Sequence, residues 1–277
     1  MPDAEVVEPA PAKLNLALHV TGRRADGYHL LDSLVAFAGV GDRLHLSPGP
    51  LSLRITGPFA AGLEAGEGNL CLRAARLAGA DAAITLDKRL PVASGIGGGS
   101  ADAAAVLRGL ARMGHALPAA PAMLGADVPV CLLSAPARMQ GTGEIVTKLP
   151  ALPPVPLVLV NPGIGLSTPQ VFEALARRDN APLPAIPRFA DSERLILWLR
   201  DTRNDLQDPA CRLAPAIGQV LDALAATGAL FARMSGSGAT CFGFFDSADR
   251  AARAASCLRQ YGWWAVASEL APPPGPR

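Results

Sequence analysis

Four glycines fall within five positions of the stretch Pro91-Val92-Ala93-Ser94-Gly95-Ile96-Gly97-Gly98-Gly99-Ser100-Ala101. The chain then turns at once into a helix-forming run, Asp102-Ala-Ala-Ala-Val-Leu-Arg. Glycine reaches positive φ at little steric cost and lets a backbone approach a ligand closely. A helix that begins behind such a loop offers unpaired N–H groups and the positive end of its dipole. Together these make a site for an anion, most often a phosphate. Ser100 can cap the helix and can also offer its hydroxyl to a phosphate or a metal. The competing reading is a flexible linker or a tight turn. A linker would not lie between the alternating Ala83–Leu90 and a clean helix, and a tight turn needs one or two glycines. Two better-known phosphate loops are excluded. No Lys-Ser or Lys-Thr follows the glycines. The spacing Gly95-x-Gly97-x-x-Ser100 only approximates a dinucleotide fingerprint, and no strand ending in Asp or Glu follows at the usual distance.

Other residues could do chemistry if the fold brings them to this loop. Lys13 stands at the start of an alternating segment and by itself reads as a solvated strand-end lysine. Asp127, ahead of Pro129 and an apolar run, by itself reads as a helix cap. Asp26-Gly27 is a turn signal beside Tyr28 and His29, which taken alone are packing residues more often than ligands. Ser235-Gly236-Ser237-Gly238 is a second loop of small residues.

The elements that must position these groups follow from periodicity. Leu14–Val20 alternates as a half-buried strand. Leu30–Ala38, Arg43–Leu46 and Leu51–Thr56 read as further strands, the first also suiting a helix. Asn69–Leu77 reads as a helix, Ala83–Leu90 as the strand entering the glycine loop, and the helix after the loop ends near Gly114. Gly141-Thr-Gly-Glu144 is a turn between two short strands. Leu149-Pro-Ala-Leu-Pro-Pro-Val-Pro156 is the clearest break in composition and places a boundary between a domain over 1–152 and a second over 153–277. Leu157–Val160 is an apolar run suited to a buried strand. Thr168-Pro169 opens a helix carrying Phe172. Ser192–Leu199 and Cys211–Ala226 read as helices, with Asn204-Asp205-Leu206 in the turn between them. Phe231–Met234 and Ala239–Phe245 read as strands, Ala248–Leu258 as a helix and Trp264–Leu270 as a last strand. This second half is close to a ferredoxin-like plan, and the proline-rich tail 271–277 is expected to fray.

Composition narrows the class. Half of the 277 residues are hydrophobic, 18% are charged and the net charge is +1. That is enough to build real cores, and the near-neutral charge without a basic run argues against a nucleic-acid-binding face. The five cysteines are scattered without a Cys-x-x-Cys pair, which indicates neither a disulfide framework nor a zinc site. With no signal-like segment and no apolar run of membrane-spanning length, a cytoplasmic protein without membrane contact is expected.

Pro11-Ala-Lys13-Leu-Asn15-Leu, the Pro91–Ala101 loop, Gly125-Ala-Asp127-Val-Pro and Gly236-Ser237-Gly238-Ala now line up in order. Together they resemble the GHMP kinase superfamily along essentially the whole chain. Asp26-Gly27-Tyr28-His29, Gly141-x-Gly143-Glu144 and Asn204-Asp205-Leu206 point, within it, to the members that act on a cytidine diphosphate-linked methylerythritol. The resemblance implies an α+β, two-domain fold: an N-terminal ribosomal protein S5 domain 2-like domain and a C-terminal ferredoxin-like domain. It implies transfer of the ATP γ-phosphoryl group to the 2-hydroxyl of the methylerythritol, with Mg2+, in a monomer or homodimer. Pro91 to Ala101 would wrap the nucleotide phosphates, and Ser100 would also reach the metal. Asp127 would be the general base, and Lys13 would stabilise the attacking oxygen or hold Asp127 as its ion. Tyr28 and Phe172 would stack on cytosine, His29 would bond its edge, and Asn15 and Thr168 would position the substrate. Gly236, Ser237 and Gly238 would line the phosphate pocket. The chain departs from the family pattern at Ala111–Leu124, which is short, and at Ala101-Asp102, where some members carry Ser and Asn; little effect is expected from the second. The alternatives are a mevalonate or homoserine kinase of the same superfamily, which needs no aromatic clamp, and a nucleotide-binding regulator, which needs no base. A ferredoxin-like RNA-binding module lacks the required aromatics and basic residues here.

Overall fold

The computed structural model describes residues 5–270, and the expected fraying of the tail lies outside them. The chain folds into two compact units that share its strands. The first gathers the chain up to Lys13, Val40–Val92 and Gly97–Ser134; the second gathers Leu14–Gly39, Ala93–Ile96 and the chain from Ala135 on.

Two long strands pass through both units, β1 (Val6–Arg23) and β2 (His29–Ser47). The two segments expected over Leu30–Ala38 and Arg43–Leu46 are therefore one strand, despite Gly39 and Gly41 between them. A Cβ on Gly41 would lie 2.3 Å from the Ala10 carbonyl oxygen, so glycine is what lets β2 run on against the β1 backbone. Leu14–Val20 is also buried throughout rather than on alternate residues. Its polar members carry their own partners: the Asn15 amide donates to the Ser33 hydroxyl at 2.8 Å, and His19 Nδ1 lies 2.9 Å from the Ala181 carbonyl.

In the first unit, β3 (Ser52–Thr56) pairs parallel with β4 (Ala83–Asp87), and β4 pairs antiparallel with the end of β2, Arg43 opposite Asp87. Helix α1 (Leu70–Leu77) is capped by Asn69, whose side chain accepts from the Cys71 N–H at 2.9 Å. Helix α2 (Gly98–Arg112) packs on α1 and on α3 (Val128–Leu133), with a 3-10 turn at Pro121–Leu124 before α3. Buried Arg108 of α2 bonds Glu8 at 3.0 Å and the Cys131 carbonyl at 2.9 Å, which fixes the helix against the start of β1 and the body of α3.

In the second unit, β5 (Ala137–Gly141) pairs with the first half of β2 and with β6 (Ile145–Lys148), across the expected Gly141–Glu144 turn. A four-stranded antiparallel sheet follows, built from β7 (Pro156–Asn161), β8 (Phe231–Met234), β9 (Cys241–Phe244) and β10 (Trp264–Glu269) in the order β10-β7-β9-β8. That is the ferredoxin-like strand order. Four helices connect β7 to β8: α4 (Thr168–Glu173), α5 (Ser192–Arg200), α6 (Gln207–Leu213) and α7 (Ala216–Ala226). The single helix expected over Cys211–Ala226 is two, because Pro215 has no N–H to continue the first and instead stands at the N-cap of the second. Helix α8 (Ala248–Arg259) joins β9 to β10 and is capped by Ser247. Val158, Val160, Val220, Leu224, Cys241, Ala251 and Leu258 form the core between this sheet and its helices. Among the described residues no helix is long and apolar enough to cross a membrane.

Candidate active site

The glycine loop ends where Gly97 takes left-handed geometry (φ 64°, ψ 21°) and becomes the N-cap of α2. Ser100 is therefore not the cap; it lies in the first turn, and no side chain caps this helix. Glycine lets the helix begin earlier than a serine cap would have allowed. The first-turn N–H groups have no partner inside the helix and are available to an anion.

Within the first unit the structure brings two of the sequence candidates to this helix start. Lys13 Nζ lies 2.8 Å from Asp127 Oδ2. A Cβ on Gly97 would be 3.1 Å from both Cβ and Cε of Lys13 and 3.8 Å from Asp127 Oδ2. Lys13 is thus no solvated strand-end residue: its side chain is 5% exposed, against 29% for Asp127. Asp127 does hold the N-cap position of α3, but its carboxylate makes no capping bond and turns to Lys13 instead. The short Ala111–Leu124 segment leaves this pair intact. Gly125 (φ 155°) brings the chain round ahead of Asp127, and a Cβ there would stand 3.8 Å from Ser100 Oγ.

The middle of the loop, Ala93–Ile96, belongs to the second unit and lies against the small-residue loop after β8. A Cβ on Gly95 would meet the Gly238 carbonyl oxygen at 2.4 Å and the Ser235 carbonyl oxygen at 2.7 Å, so only glycine fits. Ser235 Oγ donates to the Gly95 carbonyl at 3.1 Å, and the Thr240 N–H donates to the Ser94 carbonyl at 3.0 Å. Asn15 joins the same group, its N–H donating to Ser235 Oγ at 3.1 Å. Asn204, expected only in a turn, is buried, and its amide donates to the Met234 and Gly236 carbonyls at 2.8 Å each.

The remaining candidates are also in the second unit and meet the small-residue loop through Thr168. The His29 ring stacks on Phe172, with centroids 4.7 Å apart and planes at 23°. His29 Nε2 is buried without a hydrogen-bond partner among the described residues. Burial first, then the charges of Arg23 and Arg178, hold this imidazole below its usual pKa, so it is neutral. Tyr28 is 67% exposed. Thr168, at the start of α4, has its hydroxyl 2.7 Å from Ser237 Oγ.

One cluster beside the loop was not foreseen. Lys88 Nζ donates to Asp42 Oδ2 at 2.6 Å and to Asp102 Oδ2 at 2.7 Å, and all three residues are buried. The sequence signal was available for two of the three: Asp42 and Asp102 each follow or sit among apolar and small residues, where an ionic side chain needs a partner, whereas Lys88 lies between Asp87 and Arg89 and gives no such signal.

The chain matches the sequence pattern of the GHMP kinases N terminal domain over residues 69–134 and that of the GHMP kinases C terminal domain over residues 172–262. It is 63% identical to a Paracoccus denitrificans protein named 4-diphosphocytidyl-2-C-methyl-D-erythritol kinase, over 96% of this chain and 97% of that protein. A crystal structure of a 4-(cytidine 5'-diphospho)-2C-methyl-D-erythritol kinase superposes with a TM-score of 0.79 at 38% identity, covering 96% of this chain and 99% of the other. A homoserine kinase from Cytophaga hutchinsonii shares the fold, with a TM-score of 0.64 at 17% identity over 99% and 96% of the two chains.

Proposed function

Because the chain belongs to the GHMP kinase family, we propose that it transfers the γ-phosphoryl group of ATP to the 2-hydroxyl of 4-diphosphocytidyl-2-C-methyl-D-erythritol, a step in isoprenoid precursor synthesis. The observation that carries the chemistry is the Lys13–Asp127 pair at the N-terminal end of α2. In this reading residues 1–152 are the ATP-binding domain and 153–277 the second domain.

Phosphoryl transfer asks a protein for position and charge more than for covalent chemistry. The substrate hydroxyl oxygen attacks the γ-phosphorus, its proton passes to an Asp127 carboxylate oxygen, and the bond from the γ-phosphorus to the bridging oxygen of ADP breaks. Asp127 is the more open half of its pair, so its carboxylate can meet a hydroxyl. Lys13, held close by, balances the negative charge on the attacking oxygen. Loop residues 91–101 cradle the phosphates through backbone N–H groups, and within the second unit Asn15 and the Gly236–Gly238 loop back residues 93–96 of that loop. Tyr28 and Phe172 supply rings for cytosine. The unpartnered ring nitrogen of His29 supplies an atom for the base edge, and Thr168 positions the substrate.

Among the described residues no three side chains come together as a metal cage. That suits Mg2+, which keeps most of its waters and takes phosphate oxygens with few protein ligands. Ser100, in the first turn of α2, is the residue that would hold it, and the ion would neutralise charge on the phosphates.

The test is ADP release with ATP and magnesium, comparing the cytidylyl substrate with mevalonate and homoserine. Turnover is expected with the cytidylyl substrate alone. Asp127→Asn is expected to lower kcat by roughly 10²–10⁴-fold while ATP still binds, the range for loss of a general base. ATP binding without turnover of any acceptor would sink the assignment and favour a regulator.

A further inference from the structure

The glycine loop is fastened at both of its ends by a single buried lysine. Lys88 follows the last residue of β4 and is 3% exposed. On one side it bonds Asp42 of β2, whose other oxygen accepts the N–H groups of Arg89 at 2.5 Å and Leu90 at 2.8 Å. Those bonds fix the backbone immediately before Pro91, where the loop begins. On the other side Lys88 bonds Asp102, which lies in the first turns of α2, just past the end of the loop. A Cβ on Gly98 would stand 3.1 Å from Lys88 Nζ, so the ammonium lies directly beside the start of the helix.

Stability is a poor reason for such a cluster. Burying three ionisable groups costs desolvation that apolar residues of the same volume would avoid, and buried ions are best attested where they fix one arrangement against others. Here the arrangement fixed is the distance and register between the strand that enters the loop and the helix that leaves it. We propose that Asp102 is a positioning residue for the nucleotide: through Lys88 and Asp42 it ties the first turns of α2 to the end of β4, and so holds the intervening loop in the shape that receives phosphate. This rests on the ATP-dependent reaction proposed above.

Asp102 does not touch the phosphate in this account; it acts through Lys88 and the backbone. Its Oδ1 has no hydrogen-bond partner among the described residues. An amide of the same shape keeps an oxygen that can accept from Lys88 Nζ, and so preserves the tie.

The experiment measures ADP binding by calorimetry together with both KM values for Asp102→Ala and Asp102→Asn. Removing a hydrogen bond to a charged group is expected to weaken ADP binding and raise KM for ATP about tenfold in Asp102→Ala. KM for the cytidylyl substrate and kcat should stay within about twofold of wild type, since the base and the acceptor contacts are untouched. Asp102→Asn should restore nucleotide affinity to within about threefold of wild type. An equal rise in both KM values, or unchanged ADP affinity in Asp102→Ala, overturns the proposal. If Asp102→Ala does not fold, Asp102→Ser, too short to reach Lys88, is read by the same criteria. ADP binding needs no acceptor, so a wild-type protein that binds ADP but phosphorylates nothing would count against the proposed reaction and not against this tie.

Discussion

Lys13 and Asp127 differ in how much water they meet, and that difference supports the roles proposed for them. The lysine is buried and pinned, while the carboxylate keeps an open side toward an incoming hydroxyl. A similar division holds at the base-binding candidates. Phe172 carries His29 on one face, which orders both rings before any ligand arrives. Ordering a ring in advance reduces the entropy lost when a base stacks on it. Phe172→Ala is expected to raise KM for the cytidylyl substrate about tenfold, since base–aromatic stacking contributes ~1–3 kcal/mol. KM for ATP should stay at the wild-type value, and steady-state kinetics with each substrate varied in turn would show the split. A matching rise in KM for ATP would mean that Phe172 supports the fold and not the base.

At the scale of elements, the loops proposed to receive ligand are held by side chains from segments distant in sequence. The turn before α6 is the clearest case. Asn204 bonds two carbonyls of the chain leaving β8, and its own Oδ1 accepts the Leu206 N–H at 3.0 Å. Asp205 beside it accepts the Val20 N–H at 2.7 Å. Asn204→Ala would leave two buried carbonyls without these donors, a loss of about 1–3 kcal/mol. Thermal unfolding should show a lower Tm, and the larger effect on function should fall on the Ser235–Gly238 loop and thus on nucleotide affinity. An unchanged Tm would show that other groups or water satisfy those carbonyls at no cost.

For the molecule as a whole, stability should depend on pH through His19 and His29. His19 Nδ1 donates to the Ala181 carbonyl, and Nε2 accepts the Arg203 N–H at 3.2 Å, an arrangement that suits the neutral ring. Its pKa is lowered from 6.5, chiefly by burial, with Arg203 adding to the effect. The folded ring therefore resists a proton that the unfolded ring accepts. Its contribution is fully present above the unfolded value of 6.5 and is lost as pH falls from there toward the lowered folded value; His29 acts in the same direction. Urea unfolding at about pH 8 and about pH 5.5 should show the decline, and His19→Gln should shrink it. Equal slopes for the wild type and His19→Gln would exclude His19 as the cause.

Sequence by itself determined the local features, because periodicity and composition report burial and backbone preference over a few residues. The glycine loop and its helix, the Asn69 and Ser192 helix starts, the Gly141–Glu144 turn and the order of the second half were all legible in this way. So was the family, because its motifs are short and ordered along the chain. Three features were decided only in three dimensions. Whether Gly39 and Gly41 break β2 depends on what approaches them: the β1 backbone lies against Gly41, and Ser268 and Glu269 of β10 lie against Gly39. Whether Ser100 caps α2 depends on where Gly97 turns left-handed. The pairings of Lys13 with Asp127, and of Lys88 with Asp42 and Asp102, depend on strand register and helix packing. No local pattern encodes those, because the partners lie on different elements and meet only when the sheet and its helices have closed.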